Sequence, residues 1–310
     1  MQEQENLVEE RTLYKKIKYF LLYWFVRSML TISNFFPRTW WLAFCGSLGR
    51  TAFVLLPKFK AITIQHLTLA YKQEKSAEEI HNLAKQVFIS VGKNAGDTFR
   101  SLKVRSLAQL EKFLVTTGIE HFETAHAKNK GVIFLTCHMG AFDMQITNMA
   151  LRGLKPNIIG TPLKDPRLND LLVNYRSAFG AIAIPRGKET FRLIKVLKQG
   201  GAIAILIDQD TSVKGVFVDF FGKKAFTPVG AAVLALKTGA AVIPTIIYLG
   251  SDNKQRMEIF PEIPVSVTGN EELDVLNNTQ AFTGFIEAQV RKHPEQWVWM
   301  HERWKTQPVP

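Results

Sequence analysis

His138 and Asp143 are the residue types that general acid–base chemistry uses, and they stand five positions apart. On one continuous helix, positions i and i+5 lie about 140° apart around the axis, which is poor for contact. The neighbouring residues supply a different setting. Val132-Ile133-Phe134-Leu135 is a short β-branched and aromatic run that reads as a buried strand, and Met139 to Leu151 lacks proline and reads as a helix. His138 therefore falls where a strand gives way to a helix, the edge at which α/β sheets bind ligands. There, a carboxylate in the first turns of the helix can turn back to one imidazole nitrogen and leave the other free as a base. A His and an Asp at this spacing also arise by chance, so the pair draws its weight from that setting and from the polar groups at the ends of later strands.

Two such groups come after apolar strands. Arg186 comes after Ala181-Ile182-Ala183-Ile184-Pro185, and Asp208-Gln209-Asp210 comes after Ala202-Ile203-Ala204-Ile205-Leu206-Ile207. Convergence at one sheet edge is the layout of an active site, although a lone strand-end Asp often caps a helix and a lone loop Arg is usually solvated. Several chemistries lack their residues. There is no G-x-S-x-G elbow, no G-x-G-x-x-G and no Walker loop. Cys137 adjoins His138, but consecutive strand residues point to opposite faces, which disfavours a Cys–His dyad. What remains is a histidine base with no protein nucleophile, suited to deprotonating a substrate hydroxyl for direct transfer.

The elements that position these residues read as an α/β fold with a mainly parallel central sheet flanked by helices. Strands over Asn157–Gly160, 181–187, 202–207 and 241–249 alternate with helices over 167–179, 189–198 and 229–238. One or two more strands are expected around Pro261 and Pro264, then a helix over 270–291. Residues 216–228 read as a loop at the sheet edge, and 118–130 as a short strand with a polar helix. Residues 58–114 read as helical, with Ser76 as a cap, Glu79 at the capping-box position, and solvated charges at Arg100, Lys103 and Arg105. Residues 1–57 differ in character. Lys15, Lys16 and Lys18 precede an aromatic apolar run interrupted by Arg27, and Trp40 to Leu56 forms a second apolar stretch between Pro37 and Pro57, with Cys45, Gly46 and Gly49 allowing close helix packing. The expectation is an N-terminal membrane-attachment region over 1–57, spanning or in-plane, ahead of a domain over 58–310; two core helices are the alternative.

The 310 residues carry 39 Lys+Arg against 27 Asp+Glu, a formal charge of +12. That balance favours an anionic partner such as an anionic membrane surface or an acidic protein. Nucleic acid is disfavoured because zinc-finger spacing, an RNP-like aromatic block and a long basic run are all missing. The two cysteines, Cys45 and Cys137, fit a reducing compartment with no disulfide framework. Glu120, His121, Glu123 and His126 lack a second ligand group at metal spacing and read as a helix face.

His138-Met139-Gly140-Ala141-Phe142-Asp143 resembles the H-x4-D block of the lysophospholipid acyltransferase superfamily. More specifically, the chain resembles the bacterial lipid A biosynthesis (late, Kdo2-lipid A) acyltransferases. The blocks that carry this are Tyr175-Arg176 through Pro185-Arg186-Gly187, Asp208-Gln209-Asp210, Val216 to Gly222 through Thr227, and Trp297-Val298-Trp299-Met300-His301-Glu302-Arg303-Trp304. The D-Q-D with F-F-G pair and the terminal tryptophan run are the specific ones. The chain departs from the pattern at Ala141, which shifts the aromatic by one place, and at Thr211 to Gly215, which replace a glycine-rich turn.

The resemblance implies transfer of an acyl chain from acyl carrier protein, or less often acyl-CoA, to a hydroxyl of a glycolipid. It implies no metal or cofactor and a place at the cytoplasmic face of the bacterial inner membrane. It makes His138 the general base and Asp143 its orienting partner. Arg176 and Arg186 would meet phosphate or a developing oxyanion, and Asp208, Gln209 and Asp210 the acceptor. The block of Phe221, Gly222, Lys223 and Thr227 would join the substrate site, with Lys223 and Lys224 suited to an acidic carrier or lipid phosphate. Acylation of another glycolipid, such as a phosphatidylinositol mannoside, thioester hydrolysis, and a non-catalytic lipid- or carrier-binding role on the same fold are the competing readings.

Overall fold

The structure is a computed structural model that describes residues 13–160, 162–178, 180–185 and 190–308. The apolar N-terminal stretches form helices α1 (Leu13–Ile32) and α2 (Arg38–Leu55), and α3 (Pro57–Tyr71) leaves α2 at a bend of 92°. Pro37 and Pro57 stand at the helix starts, where a missing N–H costs nothing. Phe35 and Trp40 are 75% and 70% exposed, and Leu13, Phe20, Leu21, Val54 and Leu55 are also exposed, while α2 buries Trp41, Leu42, Cys45 and Phe53 on its other face. No single helix among the described residues is long and apolar enough to cross a membrane, while α2 with α3 passes that test as a bent pair.

The long helix α4 (Ala77–Ser101) starts with the expected capping box, Ser76 accepting from the Glu79 backbone and Glu79 from Ser76. Such a cap contributes about 1 kcal/mol. Helix α2 lies against α4 through small residues. A Cβ at Gly49 would stand 2.2 Å from the Phe88 carbonyl oxygen, and one at Gly92 would stand 2.3 Å from that of Cys45. Of the charges at the end of α4, Lys103 and Arg105 are exposed as expected, and Arg100 is half-buried. Arg100 donates to the carbonyls of Ser33 and Phe36, and Lys103 to that of Thr31, which closes the turn after α1.

After α5 (Leu107–Leu110) come β1 (Leu114–Thr117), α6 (Ile119–Ala127), β2 (Val132–Thr136), α7 (Asp143–Leu151), β3 (Asn157–Gly160), α8 (Pro166–Ser177), β4 (Ile182–Pro185), α9 (Thr190–Lys198) and β5 (Ala202–Leu206). The hairpin β6 (Gly215–Phe220) and β7 (Lys223–Pro228) precedes α10 (Gly230–Thr238), β8 (Ala241–Leu249), β9 (Gln255–Ile259) and α11 (Glu271–Lys292). The other strands form one seven-stranded sheet in the order β1-β9-β8-β2-β5-β3-β4. Every pairing in it is parallel except β8 with β9. The expected mainly parallel, helix-flanked sheet is therefore present.

Of the one or two strands expected around Pro261 and Pro264, one forms, Gln255–Ile259. Two local readings change. The strand expected within 118–130 ends at Thr117, before Gly118 turns the chain at φ 75°. Residues 216–228 form a separate two-stranded hairpin instead of a loop. Its tight turn has Phe221 and Gly222 at φ 53° and 68°, and this left-handed pair matches the twist of the flanking strands.

Candidate active site

Strand β2 pairs with β5 so that Thr136 faces Leu206. Both runs continue past that pair before turning polar, which brings His138 opposite Asp208. The imidazole Nδ1 lies 2.8 Å from Asp208 Oδ1, and the His138 backbone N–H donates to Oδ2 at 2.8 Å. The Trp297 indole donates to the same Oδ2 at 2.8 Å. Burial pushes the Asp208 carboxyl up, but His138 and these donors outweigh it and hold the group below its ordinary range. An ionised carboxylate only accepts, so Nδ1 carries a proton and, in the neutral ring, Nε2 presents the lone pair.

The carboxylate on the imidazole is therefore that of Asp208, and the expected partnership of His138 with Asp143 is replaced. Asp143 opens α7, and its Oδ1 accepts two bonds from Arg176 of α8, from Nε at 2.9 Å and Nη2 at 2.7 Å. Gly160 leaves room for that guanidinium, since a Cβ there would lie 3.3 Å from Nη1. His138, Asp143, Arg176 and Gln209 line one cavity of about 410 Å³. Period-2 alternation puts Phe134, Thr136 and His138 on one face of β2, and all three line it, with Ala204 and Leu206 of β5 beside them. Ile146, Met149, Leu172 and Met257 make the wall largely hydrocarbon. Cys137 faces away into the core, and burial holds its thiol well above the ordinary value.

The other expected site residues are elsewhere. Arg186 and Gly187 lie outside the described residues. Asp210 accepts from the backbone and hydroxyl of Thr306 and so holds the C-terminal tail. Phe221 packs on Tyr71 and Trp299, and Gly222 completes the hairpin turn. Lys223 is exposed on β7, and Thr227 accepts from the buried Arg303. Asp210, Phe221, Gly222, Lys223 and Thr227 do not line the cavity beneath His138.

Trp297 is the residue that sequence reasoning missed in function. Its segment straps the His138 turn: Val298 N–H donates to the His138 carbonyl, Gly140 N–H to that of Gln296, and Met139 bridges Trp297. Gly140 sits at φ 61°, and a Cβ there would stand 2.2 Å from the Ile247 carbonyl oxygen, so only glycine fits beneath the strap. Burial lowers the pKa of His66, whose Nδ1 meets the Trp299 carbonyl at 2.9 Å, and of His301. Because the unfolded chain binds more protons than the native one below the ordinary histidine value of about 6.5, stability is full above that value and lost as pH falls through the lowered ones. The thermal midpoint should therefore drop between about pH 7 and 5, and the drop should be shallower in His66→Asn, whose amide can still donate to Trp299. A midpoint that holds level on acidification contradicts this.

A histidine–carboxylate pair thus stands at the rim of a mainly parallel sheet, over a largely hydrocarbon-lined cavity. Residues 8–306 match the family described as bacterial lipid A biosynthesis acyltransferase, and the chain belongs to that family. It is 26% identical over 275 residues to the lipid A biosynthesis palmitoleoyltransferase of Escherichia coli strain K12, covering 86% of each chain. Against the lipid A biosynthesis lauroyltransferase of the same strain it is 26% identical over 274 residues, 85% of this chain and 84% of the relative. A phosphatidylinositol mannoside acyltransferase of Mycobacterium tuberculosis is 27% identical over 222 residues, 69% of this chain and 68% of the relative.

Proposed function

We propose that this acyltransferase moves a fatty acyl chain from a thioester of acyl carrier protein, or of CoA, to a hydroxyl of a glycolipid, with a lipid A precursor as the first acceptor to test. The observation that carries the reading is the His138–Asp208 contact of 2.8 Å at the mouth of the hydrocarbon-lined cavity. In this mechanism Nε2 of His138 takes the proton of the acceptor hydroxyl as its oxygen attacks the thioester carbonyl. Asp208 fixes the tautomer and stabilises the imidazolium. Collapse of the tetrahedral intermediate breaks the carbon–sulfur bond, and the imidazolium returns its proton to the departing thiolate. Arg176, oriented by Asp143, meets the oxyanion or an acceptor phosphate. The acyl tail occupies the cavity that descends along Phe134, Met149 and Met257. The exposed aromatic residues of α1 and α2, together with a formal charge of +12, support attachment to an anionic membrane surface at the cytoplasmic face, where thioester donors are available. The likeness to the mycobacterial relative keeps other glycolipids in view as acceptors.

The protein should be incubated with a pool of acyl carrier thioesters and a total bacterial lipid extract, and the products read by mass. An acylated glycolipid is the expected product. Free fatty acid alone makes the protein a thioester hydrolase, and consumption of no thioester makes it a binding protein.

A further inference from the structure

Cations crowd a separate hollow of about 380 Å³ at the turn between α1 and α2. Arg38, Arg100, Lys103 and Lys112 all line it, with Asn34 and Gln109 as uncharged polar neighbours, and no carboxylate among the described residues does. The fully buried Asp97 accepts two bonds from Arg38, from Nε at 2.8 Å and Nη2 at 2.7 Å. The Glu111 carboxylate, next to Lys112 in the chain, accepts from Arg152 instead. Four positive charges thus meet one negative charge. Closing the turn explains part of the cluster, since Arg100 spends Nη1 on two carbonyls and Lys103 donates to a third. It does not explain the rest. Nη1 of Arg38, Nε and Nη2 of Arg100 and the Lys112 ammonium have no hydrogen-bond partner among the described residues. Gathered cations repel one another, and an anion joining them relieves that repulsion.

We propose that this hollow seats the phosphate of an anionic membrane lipid. The inference rests on the membrane-attachment part of the reading above and narrows it to one site. The apolar surface that adjoins the cations is what commits the site to a lipid. The Lys103 ammonium lies 5.8 Å from the centre of the Phe35 ring, which is exposed. Arg100 donates to the carbonyl of Phe36, a second exposed aromatic residue. Trp40 and Phe44, one turn apart on α2 and both exposed, continue the apolar surface from Arg38, the first residue of that helix. Exposed rings beside cations suit a membrane–water interface, where the rings settle at headgroup level and the cations meet phosphate. An acidic protein neutralises the cations but gives the rings no hydrocarbon to enter. Arginine holds its N–H groups in a fork that matches phosphate oxygens, while Lys103 and Lys112, both exposed, add charge at the rim.

The test offers the full chain an equal mixture of phosphatidylcholine vesicles and vesicles in which part of that lipid is replaced by phosphatidylglycerol. The ratio of protein on the two isolates the headgroup contribution, because apolar contacts are common to both. The wild-type protein should favour the anionic vesicles, and Lys103→Gln with Lys112→Gln should cut that preference by at least about tenfold. This pair leaves Arg38 on Asp97 and Arg100 on its carbonyls, so the thermal midpoint should hold. Lys292→Gln with Lys305→Gln, which removes the same charge from exposed positions late in the chain, should change the preference by less than about twofold. An unchanged preference in the first variant overturns the inference. An equal loss in the second does so too, since only overall charge would then matter. If the first variant keeps its vesicle preference but loses affinity for acyl carrier protein, the hollow docks the carrier and the lipid assignment is wrong. Wild-type protein that binds both vesicles equally overturns the inference without any variant, whereas binding to neither removes membrane attachment itself. None of these measurements depends on acyl transfer.

Discussion

Replacing Asp208 by asparagine is expected to lower acyl transfer by about 10⁴-fold while the protein stays folded, the loss seen where a carboxylate that fixes a catalytic tautomer becomes an amide. The donors around the carboxylate dictate this outcome. Oδ2 accepts from two groups that can only donate, the His138 backbone N–H and the Trp297 indole. The carbonyl oxygen of an asparagine must therefore take that position, which points its NH2 at Nδ1. Nδ1 is then the acceptor, the ring proton moves to Nε2, and the nitrogen that should take the hydroxyl proton already holds one. The substitution is isosteric, so the thermal midpoint should change far less than the rate. Asp143→Asn should cost less, because it weakens the grip on Arg176 and leaves the imidazole tautomer alone. If Asp143→Asn proved as damaging as Asp208→Asn, the partner of His138 would have been misidentified.

His138→Ala should reduce transfer to background, a loss of at least about 10⁴-fold. The side chain is a quarter exposed at the cavity mouth, so its removal costs little packing. Added imidazole separates this variant from the last. With Asp208 intact, a free imidazole can enter the vacated space in the productive tautomer and restore part of the rate. Asp208→Asn already holds an imidazole, and rescue should fail there. The two losses should also not add in the double variant, since both remove one unit of chemistry. Full activity of His138→Ala would refute the base assignment, and additive losses would show that the two side chains act separately.

Much of this site was legible in the sequence, up to a definite physical limit. The strand run to His138 and the run to Asp208 have the same length and phase: five strand residues, one further buried residue, then the polar group. Read side by side, they place the histidine against the aspartate. What pattern cannot supply is that β2 and β5 are neighbours, because β3 and β4 intervene in sequence and are displaced to one side of the sheet. Proximity along the chain favoured Asp143, and strand order decided for Asp208. The hairpin was missed for a related reason. Its glycine and lysines look like loop composition, whereas the alternation from Val216 to Phe220 carries the strand signal. Trp297 was visible as part of a dense tryptophan run, but the role of an indole depends on which buried oxygen it reaches.

That indole has a temporal consequence. Chains emerge from the ribosome N-terminus first, at about 5–20 residues per second, and fold as they emerge. The apolar helices α1 and α2 are thus outside long before Trp297 exists to hold Asp208 and before Val298 can clamp the His138 turn. A chain made only as far as α11 therefore has α1 and α2 in place while Asp208 still lacks its indole donor and the His138 turn its clamp.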